Sequence, residues 1–106
     1  MALPPGNIRY LVRISIPRSG GWRQWEAGSG AFEQRLAGKP AVIAARVDSQ
    51  TRRGPDYVRV TVAIDVAAPD VAEALTTAWR AFREAAGDDA AGWDMAAATA
   101  DVRPDS

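Results

Sequence analysis

Two stretches of strict alternation constrain this chain more than anything else in it. From Ile8 to Ile16, the residues Ile8, Tyr10, Val12, Ile14 and Ile16 face one way, while Arg9, Leu11, Arg13 and Ser15 face the other. From Tyr57 to Val66, the residues Val58, Val60, Val62, Ile64 and Val66 share a face, and Tyr57, Arg59, Thr61, Ala63 and Asp65 share the opposite one. A period of two with apolar residues on one side describes a strand buried on one face. The chain therefore needs a sheet with one apolar face, and a layer to cover it.

Residues 69–86 supply part of that layer. Val71, Leu75, Ala78, Trp79, Phe82 and Ala86 form one helical stripe, Pro69 suits the first helical position, and Gly87 is a natural stop. Asp70 and Glu73 sit well near the positive end of that helix. The stretch between the first strand and residue 40 is harder to read. Pro17 is expected to end the strand. Trp22, Trp25, Phe32 and Leu36 have helical spacing, but Gly28 and Gly30 argue against an unbroken helix. The expectation is a long loop over residues 17–30, then a short helix from Ala31 to Ala37, capped by Ser29 or Gly30 and ended by Gly38 and Pro40.

Ala41 to Asp48 reads as a second strand with Ile43, Ala45 and Val47 inward, joined through a polar turn at residues 49–56 to the Tyr57–Val66 strand. Trp93 to Val102 reads as the last strand, after a turn at residues 88–92. The order βαββαβ predicts an α+β, ferredoxin-like sandwich: a four-stranded antiparallel sheet, order 4-1-3-2, helices on one face, first helix short. The two Ile/Val-rich strands are then central and the Ala-rich ones lie at the edges. A length of 106 residues fits one domain. The expected division is a flexible lead at 1–7, the domain at 8–103 and a tail at 104–106.

The chain contains no histidine and no cysteine. That removes Ser-His-Asp and Cys-His catalysis, disulfides and the usual zinc sites. No catalytic residue, metal ligand or cofactor is expected. Asp88, Asp89 and Asp94 lack the spacing of an EF-hand loop, and Glu26 and Glu33 read as surface acids rather than an acid–base pair. With no apolar run long enough to span a bilayer and no signal-peptide pattern at the N-terminus, a cytoplasmic protein without membrane contact is expected.

The net charge is zero, yet residues 1–62 carry ten basic and four acidic side chains, and residues 63–106 carry three and nine. The plain reading is that the halves pair within one fold or between copies. Strand parity places Arg9, Leu11, Arg13, Tyr57 and Arg59 on the sheet face away from the helices, with Trp93 and Met95 joining them if the last strand turns its alanines inward. Mixed apolar and arginine surface of this kind often meets a partner. The best-fitting function is a small non-catalytic binding or assembly domain, self-associating as a dimer through its sheet face or an edge strand. An alternative is a small enzyme or ligand-binding protein whose tryptophan loop, residues 17–30, lids a hydrophobic pocket lined by Trp22, Trp25 and Phe32. A third is single-stranded nucleic-acid binding on the arginine face. It is ranked last because the Ile8–Ile16 and Tyr57–Val66 strands lack the stacking aromatics of an RNA-recognition motif.

Overall fold

The computed structural model describes residues 6–52, 54, 56–87 and 92–105. The strands are β1 (Ile8–Ser19), β2 (Ala44–Arg52), β3 (Tyr57–Ala68) and β4 (Thr99–Pro104), and the helices are α1 (Gly21–Ala37) and α2 (Val71–Ala86). The sheet order is β2-β3-β1-β4, which is 4-1-3-2 read from the other edge, and every pairing is antiparallel. The two alternating segments are the central strands. Their inward residues, from Tyr10 to Ile16 and from Val58 to Val66, are buried under α1 and α2 in a single core.

Several expectations need correction. The first helix is long, not short. Residues 17–30 are not a loop: α1 begins at Gly21, directly after a left-handed Gly20, and runs through Gly28 and Gly30. Each interior glycine costs a helix about 1 kcal/mol relative to alanine. Burying Trp25, Phe32 and Leu36 outweighs that, because they are 1%, 3% and 0% exposed. An indole or phenyl ring gains several times the glycine penalty on burial.

Pro17 does not end β1. Its carbonyl accepts the Asp94 N–H at 2.9 Å, so its nitrogen faces the β4 side as well. The last β1–β4 pair is Ser15 with Thr99. Pro17 therefore lies beyond the ladder on the side where its missing N–H would count.

The apolar stripe of α2 is rotated from the expected one. Ala74, Ala78, Ala81, Phe82 and Ala85 face the core, whereas Val71 and Leu75 are exposed and Trp79 is half-buried. The alanines bring the helix close to the sheet, and Phe82 alone supplies its large buried side chain. Asp70, rather than Pro69, begins the helix: its carboxylate accepts the Glu73 N–H at 2.8 Å.

The last strand starts six residues later than expected. Trp93 makes an isolated bridge with Arg18, Met95–Ala97 form a 3-10 turn, and regular pairing begins only at Thr99. At the other end, β4 includes Pro104, and the Asp105 N–H donates to the Arg9 carbonyl at 2.9 Å. In β2, pairing begins at Ala44 and Ile43 is exposed, while Ala45 and Val47 pack against the core. Residues 1–5 of the expected lead, Arg53 and Pro55 of the hairpin tip, and Asp88 and Asp89 lie outside the described residues.

Candidate functional site: the beta4 edge and its groove

The tryptophans are divided among three environments. Trp25, Phe32, Phe82 and Trp93 form one aromatic cluster, with Trp93 centred 5.2–5.5 Å from the other three rings. Trp25 and Phe32 are thus buried in the core, and Trp93 is 4% exposed on the helix side of the sheet rather than on its open face. Trp22 is half-buried under the Arg52 guanidinium, 4.9 Å from its ring. Together with Gly20, Gly21, Arg23 and Gly54 it borders a shallow cleft of about 310 Å3. Trp79 is half-buried and stacks on the outer side of the cluster, its ring 5.7 Å from that of Phe82.

The open face is a lattice of arginines and acids. Arg9 contacts Asp65 at 2.6 Å and Asp105 at 3.3 Å. Arg13 and Arg46 share Asp48 at 3.5 and 3.6 Å, and Arg59 donates to the Ser15 hydroxyl at 2.9 Å. Two of these ion pairs, Arg9 with Asp65 and Arg9 with Asp105, join the basic half of the chain to the acidic half. Leu11 is half-buried among the arginine stems, and Tyr57 is exposed at the end of β3. With Trp93 in the core, the face has one exposed ring for base stacking. Asp105 lies so close to Asp65 that a carboxyl–carboxylate hydrogen bond, with a lesser contribution from desolvation, pushes its acid above the usual carboxylate range.

The two sheet edges differ. In β2 the pairing shifts between Val47 and Ser49, which leaves Asp48 as the extra residue of a bulge. The Val47 N–H is taken by the Glu33 carboxylate of α1 at 2.7 Å. Bulge and side chain together close that edge. In β4 the register with β1 is regular, and the Asp105 bond to Arg9 fixes its parity. Residues 99, 101, 103 and 105 direct their peptide groups at β1, and Ala100, Val102 and Pro104 direct theirs outward. The side chains of Asp101 and Arg103 flank Val102 on the open face and meet at only 3.8 Å, both mostly exposed.

Beside this edge, on the helix side, α2 and β4 leave a groove of about 1000 Å3. Ile14, Leu75, Trp79, Met95, Ala98 and Ala100 form its apolar surface, and Arg80, Arg83, Glu84, Thr76 and Thr99 its polar rim. The groove exists because α2 is drawn toward the sheet centre by its alanines while β4 carries small side chains. Met95, expected on the open face, lies here instead. Sequence reasoning missed this site. The available signal was the pair Leu75 and Trp79, one turn apart, opposite an alanine-rich edge strand.

Among the described residues no group of histidine, cysteine or carboxylate side chains converges as a metal site. No helix among them is long and apolar enough to cross a membrane. No protein-family model matches the chain, and no curated protein matches it. Among solved structures it is similar to the crystal structure of a protein from methicillin-resistant Staphylococcus aureus provisionally described as an aminohydrolase. The two are 13% identical with a TM-score of 0.42, and the match covers 93% of this chain and 30% of that one. A likeness of that size carries no argument about chemistry.

Proposed function

We propose that this chain is a small binding and assembly domain that pairs with a second copy of itself along β4. The supporting observation is the self-complementary edge: open peptide groups at Ala100 and Val102, flanked by opposite charges at Asp101 and Arg103. Antiparallel pairing about a two-fold axis at Val102 sets Asp101 opposite Arg103 of the partner copy, twice. The two Val102 residues exchange both of their hydrogen bonds, and each Ala100 N–H reaches the carbonyl of Pro104 in the other copy. The neighbouring register, centred on Asp101, would set two carboxylates face to face and is disfavoured. Edge β2 carries the similar sequence Arg46-Val47-Asp48, but its bulge and the Glu33 bond remove it from this role.

Three variants test the register. Opposite charges across strands contribute about 0.2–1 kcal/mol per pair, and like charges reverse the sign. Asp101→Arg and Arg103→Asp should therefore each weaken dimerisation by about tenfold or more. The double exchange should restore it, because the pairs re-form with signs reversed. Val102→Pro removes only the outward N–H, leaves the ladder to β1 intact, and should yield a monomer. Sedimentation equilibrium reads all of these. A wild-type monomer at about 100 µM, a concentration at which even weak specific pairing is visible, would end the proposal.

A further inference from the structure

We infer that the groove between α2 and β4 binds a small carboxylic acid with an apolar body. Its volume, about 1000 Å3, is at the upper end of what small-molecule sites use. The floor offers Leu75, Trp79 and Met95, a surface that can displace water from a chain or ring but cannot satisfy a polar group. Leu75 is 38% exposed and Trp79 half-buried, in a helix whose Phe82 is wholly buried.

The charge at the rim selects the ligand's end group. Arg80 and Arg83 stand one turn apart on the groove side of α2, and neither makes an ion pair among the described residues. Glu84 also lines the rim without pairing with either, so the rim keeps one net positive charge. Two guanidinium groups beside an apolar floor suit one carboxylate with an apolar remainder. A charge-assisted hydrogen bond from either guanidinium holds the acid end while the apolar floor takes the body. A cation would meet the arginines, and a neutral chain would leave them unused. The site is made by one chain, so the inference does not rest on the pairing of β4.

The protein carries its own reporter. It contains two methionines, Met1 and Met95, and Met95 lies in the groove. With methyl-labelled methionine, dodecanoate, dodecanol and dodecylamine can be titrated below their micelle concentrations, against both wild type and Val102→Pro. Dodecanoate should move the Met95 methyl signal and bind about tenfold more tightly than dodecanol, with the amine weakest. Arg80→Glu with Arg83→Glu should reverse the order of acid and amine. Equal affinity for the three chains, or an unmoved Met95 signal at saturating dodecanoate, would overturn the proposal. Binding by wild type that disappears in Val102→Pro would assign the ligand to a dimer interface and overturn the single-chain site. Binding retained in a monomeric Val102→Pro would support the groove whether or not β4 pairs.

Discussion

The guanidinium of Arg18 lies over the ring of Trp93, 4.7 Å from its centroid, at the inner end of β1. The same group is 5.4 Å from the centroid of Trp25, and Arg18 as a whole is 4% exposed. The inward row Tyr10, Val12, Ile14, Ile16 thus ends in a cation held between two indoles. It joins β1 to α1 and to the segment that leads into β4.

Arg18→Lys keeps the charge and loses the flat, delocalised group that fits against both rings. A desolvated cation–π contact contributes about 2 kcal/mol, and lysine hydrates more strongly than arginine. The variant should lose about 1–2 kcal/mol in urea unfolding. An unchanged midpoint would mean that the side chain is held by something other than the two rings.

The glycines inside α1 lead to the opposite sign. Gly28 and Gly30 are exposed, and a Cβ built at either would meet nothing within 4 Å. Gly28→Ala and Gly30→Ala should each stabilise the fold by about 0.5–1 kcal/mol, additively within error. Gly20 behaves differently. Its φ is +99° and a Cβ there would overlap the Gln24 side chain, so Gly20→Ala should destabilise. Thermal melts of the three variants check the pattern, and loss of stability in the first two would show that α1 is not continuous through them.

Asp105 sets a pH dependence of definite sign. Its acid is raised in the folded chain, chiefly by the hydrogen bond with Asp65, so the fold binds its proton more tightly than the unfolded chain does. Its contribution is complete below the ordinary aspartate value of about 3.9 and falls away as pH rises through the raised value. The stability of wild type relative to Asp105→Asn should therefore be greater at about pH 4 than at about pH 7. Urea midpoints at the two values measure the difference. A greater relative stability at neutral pH would mean that the Arg9 contact, not the Asp65 contact, governs this carboxyl.

The central strands were legible because burial on one face writes a period of two into Ile8–Ile16 and Tyr57–Val66 with no help from the rest of the fold. The strand order followed from their bulk. In α1, local glycine propensity opposed the spacing of Trp22, Trp25, Phe32 and Leu36, and tertiary burial decided in favour of the spacing. Trp93 was misplaced for another reason. Its side depends on where pairing with β1 starts, and Met95–Ala97 delay that start by a turn that alanine-rich sequence does not mark. The groove stayed hidden because an amphipathic stripe does not say which of its apolar residues the sheet will reach. Leu75 and Phe82 look alike in sequence, and only one is covered.

The pairing of β1 with β4 also bears on how the chain can be made. Arg9 is bonded to Asp105, so a residue of β1 waits for one just beyond β4 to leave the ribosome. Residues up to Ala68 can close β1, β3 and β2 into a three-stranded sheet earlier, and α2 can then dock upon it. Until β4 arrives, the flank of β1 from Tyr10 to Ser15 is an open edge with apolar residues beside it. That interval is when a nascent chain of this topology is most exposed to misassembly, and its length is set by translation speed between Ala68 and β4. Slow codons there would prolong the interval, and crowded polysomes would bring such edges from neighbouring chains together.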